Sequence, residues 1–200
     1  PRGGRTCHIY CSPHNVGASA LMREVASHLK LPVKIAEDAG QLHACERMLV
    51  YLTGRTWTSG EASTKFAQEV KRAVDAKVPL LLCHEMPGVG GQEARHGCEF
   101  DIFFANTNGA TPQELLQADI YSQIATALKG GAWRDVSMVM VAQGLAKPLP
   151  KEVESIHEIA QEEAQASTTG EQDPGTAMPE EVFVPTAPAS APVPSPAPAI

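Results

Sequence analysis

The sequence predicts a small α/β domain in which helices cover both faces of an open parallel sheet. Apolar segments of strand length alternate with helical segments over residues 6–84. The strand segments are almost continuously apolar, most clearly "MLVYL" and "PLLLC", as in strands that are buried on both faces. The helical segments between them carry apolar residues along one side only. Together these observations predict three layers, helix–sheet–helix.

Four strands and the helices between them account for the first half of the domain. "TCHIYCS" is rich in strand formers, and the next segment places Leu21, Val25 and Leu29 at helical spacing. "LPVKIA" indicates a short second strand, and "RMLVYLT" is the clearest third strand. A loop rich in Thr and Gly, "TGRTWTSG", then leads into a helix before the fourth strand. We expect strands over residues 6–12, 31–36, 47–53 and 78–84, helices over 18–30 and 61–76, and a helical turn over 41–46.

The second half of the domain is predicted to hold an edge strand and two helices. "EFDIFF" indicates the edge strand, over residues 99–104. Thr111, Pro112 and Glu114 form a capping box with proline at the first helical position, which predicts a helix over residues 112–129. The last helix is expected over residues 133–146, with its apolar positions at Val136, Val139, Met140 and Ala142.

The composition changes near residue 148. Residues 148–200 contain ten of the sixteen prolines and nine acidic residues against one lysine, whereas residues 1–147 are close to neutral. A segment ending "PTAPASAPVPSPAPAI" cannot bury enough apolar surface to offset the entropy of ordering it. We predict an α/β domain over residues 5–147, an acidic helical extension over 148–166 and a disordered linker over 167–200. We also expect the chain to be a part of a larger protein.

The composition limits which partners and which cellular compartment we expect for this protein. The near-neutral domain has no bias toward nucleic acid. No apolar stretch approaches the roughly 18–20 residues that span a bilayer, and no signal-peptide pattern is present. The five cysteines are odd in number and lack a CxxC pair, which favours reduced thiols over a disulfide framework. We therefore expect a cytoplasmic protein without a nucleic-acid partner and without direct membrane insertion.

The sequence lacks most of the motifs that indicate a particular catalytic or binding chemistry. The glycines of "PGVGG" lack the lysine of a phosphate-binding loop, and GxSxG is absent. Cys, His and Glu residues crowd together over residues 83–99 without the usual metal-ligand spacing, so we expect a polar loop there and no metal site. Two cysteines lie near histidines, Cys11 near His14 and Cys98 near His96. We interpret both as structural thiols, since free cysteines are usually buried.

One segment resembles a known family. The stretch "MLVYLTGRTWTSGEASTKFAQEVKRAVDAKVPLLLC" resembles a TIR domain, the flavodoxin-like signalling module of innate immunity and of NAD-cleaving enzymes. The matching features are an apolar third strand, a loop with Ser and Thr, Ser63 six residues before the helical Glu69, and an apolar fourth strand. The resemblance covers about residues 6–85. Lys65 and Phe66 stand where catalytic TIR domains commonly carry Trp-Cys, and the family's usual acidic or aromatic signature after the first strand is absent.

The resemblance implies a role for Glu69. In the family this carboxylate binds the ribose hydroxyls beside nicotinamide and stabilises the positive charge that develops as the glycosidic bond breaks. The implied ligand-binding residues are Ser12, His14, Trp57 and Ser63. The sequence also allows a purely structural interpretation, in which Glu69 pairs with Lys65 and Arg72 on an exposed helix face.

Three functions are therefore open. The first, which we expect, is a TIR-like signalling module that self-associates or docks onto other TIR-like domains. The second is an NAD nucleosidase that uses Glu69, with NAD as its substrate and with no cofactor firmly implied. The third is a nucleotide sensor that binds its ligand at the strand ends without chemistry. Whether the chain is an enzyme is left open by the sequence.

Overall fold

Five parallel strands form one sheet in the computed structural model, which describes residues 1–2, 4–88, 91–105 and 109–148. The strand order is β2-β1-β3-β4-β5, and this arrangement confirms the flavodoxin-like α/β fold class. The strands are β1 Cys7–Tyr10, β2 Ile35–Ala36, β3 Cys45–Leu52, β4 Leu80–Glu85 and β5 Thr126–Leu128. The order of strands reverses between β1 and β3, and ligands usually collect at the carboxyl edge of such a switch point. The predicted extension beyond residue 148 and the predicted linker lie outside the described residues.

Helices cover both faces of the sheet. The α-helices are α1 Ala18–Leu29, α2 Glu61–Asp75, α3 Gln113–Gln117 and α4 Arg134–Ala146, and 3-10 helices span Ala39–Ala44, Phe100–Phe103 and Gly131–Trp133. Alternate side chains of β3 feed the two cores: Leu49 and Tyr51 pack with α1 and α4, whereas Met48 and Val50 pack with α2. No helix in the described part of the chain is long and apolar enough to cross a membrane.

The predictions for the first four strands and two long helices are confirmed, with one strand much shorter than expected. β2 contains only two residues, although the sequence predicted a strand over residues 31–36. Lys30 adopts a left-handed conformation with φ of 51°, and the amide of Leu31 turns back to donate to the carbonyl of Ala26. The residues directly after α1 therefore form the C-cap of the helix and are not available to pair in the sheet.

The predicted edge strand over residues 99–104 is wrong. Phe100–Phe103 forms a 3-10 helix, in which residues three apart lie on the same side. The rings of Phe100 and Phe103 both pack against the ring of His84, with centroid distances of 5.1 and 5.7 Å. A strand would send these two side chains to opposite faces, so the aromatic cluster favours the helical turn.

The predicted helix over residues 112–129 is also wrong beyond its first turns. α3 ends at Gln117, and Asp119 takes a left-handed conformation with φ of 52°. The Thr111 hydroxyl does not cap the helix and instead lies 2.6 Å from the hydroxyl of Tyr121. The chain then forms β5, which pairs with β4 along Cys83–Glu85. This pairing gives hydrogen-bond partners to a strand edge that would otherwise lack them.

The last predicted helix is confirmed, but its inner face differs from the expected one. Met138, Val141 and Leu145 are the buried apolar residues of α4. Three of the four positions that the sequence marked as apolar contacts point outward instead: Val136, Val139 and Met140 are exposed. α4 is therefore apolar on its outer side as well as on its inner side.

Candidate functional site

The loop after β1, residues 12–17, is fastened to β3 at the switch point. The side-chain amide of Asn15 donates through Nδ2 to the Tyr51 carbonyl at 2.8 Å. Its Oδ1 accepts from the Tyr51 backbone amide, also at 2.8 Å. The Thr56 hydroxyl donates to the same carbonyl at 2.9 Å, which ties in the loop after β3. These bonds hold both loops in place at the carboxyl edge of the sheet.

Glu69 lies at this edge, on α2, about two turns from the start of the helix. Its side chain is buried, with 4% of the residue exposed. The Tyr10 hydroxyl donates to Oε2 at 3.0 Å. Oε1 lies 4.0 Å from Nε2 of His14 and 3.9 Å from a guanidinium nitrogen of Arg72, and among the described residues it accepts no hydrogen bond.

The predicted ion-paired surface interpretation of Glu69 is only partly correct. Arg72 approaches the carboxylate as that interpretation expected, but Lys65 pairs with Glu61 at 2.8 Å instead. Glu69 faces the end of β1 and not the solvent. An ionised carboxylate is costly to bury without full hydrogen bonding, and such groups cluster at functional sites.

Within the described part of the chain, Tyr10 supplies the one direct hydrogen bond to this carboxylate. Burial raises the pKa of the Tyr10 phenol, and the neighbouring charge of Glu69 raises it further. The phenol therefore remains a protonated donor over the physiological range. Sequence reasoning missed Tyr10, because nothing local connects a strand residue to a helix residue 59 positions away.

Two of the predicted ligand-binding residues, Ser12 and His14, lie together in the loop after β1. Ser12 is buried, and its hydroxyl oxygen accepts from the backbone amide of His14 at 3.0 Å. This bond shapes the turn that brings the half-buried His14 imidazole toward Glu69. Ser12 thus positions His14, whose Nε2 lies 4.0 Å from Oε1 of the carboxylate.

The other two predicted ligand-binding residues hold the loop after β3. The Ser63 hydroxyl donates to the Thr56 carbonyl at 2.9 Å and accepts from the Ser59 amide at 2.8 Å. The Trp57 ring stacks on Phe66 with a centroid distance of 5.2 Å, within the core beneath α2. Both side chains are therefore engaged in fixing the loop.

The predicted residues thus form two groups, one near the carboxylate and one within the loop after β3. No protein-family model matches this chain, and no curated protein matches it either. The interpretation of the site therefore rests on the contacts of Glu69 with Tyr10 and His14. A buried carboxylate with one oxygen free of hydrogen bonds can accept hydrogen bonds from the hydroxyl groups of a sugar, or stabilise a nearby positive charge. Within the described residues, no group of three or more His, Cys, Asp and Glu side chains could hold a metal ion.

The thiols near histidines have raised pKa values. Burial raises the pKa of Cys11 to about 12 and that of Cys98 to about 11. Only the thiolate is an effective nucleophile, so neither group is activated near neutral pH. This agrees with their interpretation as structural thiols.

A second buried carboxylate, that of Glu85, lies at the end of β4 on the other face of the sheet. Its pairing with an arginine was not predicted from the sequence. Arg134 donates to its two oxygens at 2.9 and 3.0 Å, and the Tyr51 hydroxyl donates at 2.7 Å. The same guanidinium binds Glu24 at 2.7 and 2.8 Å and thereby lowers the pKa of that carboxyl. An acid that ends an apolar strand was the available signal, but its partner lies 49 residues away.

His84, beside Glu85 on β4, is expected to make the stability of the domain depend on pH. Burial lowers the pKa of its imidazole below the usual 6.5, so the folded state favours the neutral form. The unfolded chain then binds more protons than the folded one as the pH falls through about 6.5, and stability is lost progressively on acidification. We expect urea denaturation between pH 7 and 5 to show this loss, and His84→Phe to weaken the pH dependence. An unchanged slope in the variant would assign the effect to other groups.

Proposed function

We propose that this domain is a TIR-like signalling module that self-associates through the outer face of α4. The TIR-like part of the proposal rests on the sequence resemblance, and the single observation that carries self-association is the exposed apolar surface at this helix. Its members are Trp133, which directly precedes α4, and Val136, Val139 and Met140 on the helix, with 61%, 50%, 40% and 45% of each residue exposed. Trp133, Val136 and Met140 follow helical spacing, so they form one stripe.

The inner face of α4 explains why the stripe is informative. Met138, Val141 and Leu145 anchor the helix to the sheet, and the outer apolar residues are not members of that core cluster. A helix that is apolar all round is typically covered on all sides, and contiguous exposed apolar residues mark interaction sites. A large aromatic residue such as Trp133 is a common anchor of such interfaces. The partner that we propose is a second copy or another TIR-like domain.

Self-association is tested by multi-angle light scattering on the full chain over a range of concentrations. We expect the average mass of the wild type to rise with concentration. The double substitution Val136→Glu/Met140→Glu is expected to weaken association by about tenfold or more, because two charges would be desolvated in the interface. Both side chains are exposed, so the variant should fold normally.

Ile124→Glu is the matched control for this experiment. Ile124 is 98% exposed and lies outside α4. The substitution therefore also places a charge at an exposed apolar residue, but away from the proposed interface. We expect it to associate like the wild type. A wild type that stays monomeric at its highest soluble concentration would contradict the proposal, and so would equal weakening by the control.

A second candidate function is supported by the environment of Glu69. In an NAD nucleosidase, water replaces nicotinamide at the ribose anomeric carbon, and the bond between that carbon and the nicotinamide nitrogen breaks. Glu69 would bind ribose hydroxyls through its free oxygen and stabilise the developing oxocarbenium ion. The two functions are separable by substitution, because α4 and α2 cover opposite faces of the sheet. Release of nicotinamide from NAD is the test of this candidate.

A further inference from the structure

A cavity of about 210 Å³ lies at the carboxyl edge of the sheet, on the face that α1 covers. One wall is the first half of α1, with Ala20 in the helix and Gly17 directly before it. The opposite wall is the segment that carries Arg95 and His96, and Tyr51 is a further lining residue. The cavity therefore borders the switch point between β1 and β3, where ligands of such sheets usually bind.

Of the charged side chains that line this cavity, Arg95 makes no ion pair within 4.0 Å among the described residues, whereas Arg134 is shared between Glu24 and the buried Glu85. Glu24 and Arg134 pair with each other at 2.7 Å. Within the described residues, the guanidinium of Arg95 makes one hydrogen bond, to the Gly91 carbonyl at 3.5 Å. Most of the guanidinium donors of Arg95 are therefore available to a ligand.

The rim of the cavity adds further positive charge. Arg55 places a guanidinium nitrogen 3.4 Å from Nε2 of His96, and among the described residues no acid lies within 4.0 Å of either side chain. α1 begins at the same place without an acidic residue in its first turn and without a side-chain cap. Its positive end thus adds to the field of the arginines.

The segment bearing Arg95 and His96 is fixed in place by hydrogen bonds. The His96 carbonyl accepts from the Gly54 amide at 2.8 Å, which ties the segment to the loop after β3. The buried Gln92 side chain donates to the Leu128 carbonyl at 2.8 Å, which ties it to β5. His96 itself adopts a left-handed conformation with φ of 57°, a strained state that these contacts hold. These contacts hold the segment that carries the arginine against the loop after β3 and against β5.

We propose that this cavity binds the phosphate group of a small phosphorylated molecule, with Arg95 as its main ligand and Arg55 and His96 at the rim. Guanidinium groups bind phosphate oxygens through paired, charge-assisted hydrogen bonds, and Arg95 has the free donors for them. The cavity is smaller than the roughly 300–1,000 Å³ of sites that enclose drug-sized ligands, so it accommodates a phosphate and a small adjoining part. This binding activity goes beyond the proposed self-association and does not depend on it.

Isothermal titration calorimetry on the full chain tests the proposal with inorganic phosphate, AMP and adenosine. We expect phosphate and AMP to bind with one-to-one stoichiometry and adenosine not to bind. Tighter binding of AMP would identify the phosphate of a nucleotide as the ligand, and equal binding would identify free phosphate. Absence of binding by both anions would overturn the proposal.

Three variants locate the binding. Arg95→Ala is expected to weaken the binding of phosphate by about tenfold or more. Ala20→Glu removes no existing contact and places a carboxylate at the cavity, so it should abolish binding while keeping the helix. Arg5→Ala is the control, because Arg5 precedes β1 at the opposite edge of the sheet. Equal weakening by Arg95→Ala and Arg5→Ala would show a nonspecific charge effect and overturn the proposal.

Discussion

Arg134→Met is expected to lower the free energy of unfolding by roughly 3–5 kcal/mol, the usual effect of removing one partner of a buried ion pair. Glu85 is 0% exposed, and of the hydrogen bonds that the described residues make to its carboxylate it would keep only the one from Tyr51. A buried carboxylate without its cation must be protonated or hydrated, and either process opposes folding. Glu24 is less buried and can regain water, so it contributes little to the loss. Urea denaturation at pH 7 measures the effect.

Two further variants separate the buried pair from the surrounding contacts. Glu24→Gln should cost about 1 kcal/mol or less, because that carboxylate is partly solvated. Arg134→Met/Glu85→Leu should recover much of the stability lost in Arg134→Met, since apolar replacement of both partners removes the unpaired charge. If Arg134→Met is no less stable than Glu24→Gln, the Glu85 pair does not stabilise the fold.

The sequence predicted the first half of the fold because its signals there are local. β3 and β4 are apolar runs, and α2 has a clear apolar stripe through Phe66, Val70 and Ala73. The same stripe carried information about the site. Glu69 lies three residues after Phe66 and four before Ala73, so helical spacing alone turns its side chain toward the sheet. The predicted ion pair with Lys65 disregarded this spacing, which places Glu69 on the buried side of the helix.

The second half of the fold depends on contacts between distant residues, which local patterns do not contain. "EFDIFF" has the composition of a strand, but the packing of its rings against His84 makes it a helical turn. The inner side of α4 could not be chosen from the sequence, because the helix is apolar on both sides. The pairs Tyr10–Glu69 and Glu85–Arg134 likewise arise only when the topology brings strand ends and helices together.

Under the nucleosidase candidate, Glu69→Gln is expected to reduce the release of nicotinamide from NAD by about 100- to 1,000-fold, the range seen when one electrostatic stabiliser of a transition state is removed. Glutamine keeps the size of the side chain and can still accept the hydrogen bond from Tyr10. It lacks the negative charge that would stabilise the oxocarbenium ion. The loss should therefore fall mainly on kcat, with a smaller change in KM. Chromatographic detection of nicotinamide gives the rate.

Glu61→Gln is the matched control, since Glu61 begins the same helix and pairs with Lys65 at the surface. It should release nicotinamide at the wild-type rate. Tyr10→Phe removes only the hydroxyl that orients Glu69, so it should lower the rate less than Glu69→Gln does. If Glu69→Gln and the wild type turn over NAD equally, Glu69 is not catalytic. A wild type that releases no nicotinamide removes the enzyme candidate altogether, and the proposal of self-association through α4 is unaffected because it rests on a different face of the sheet.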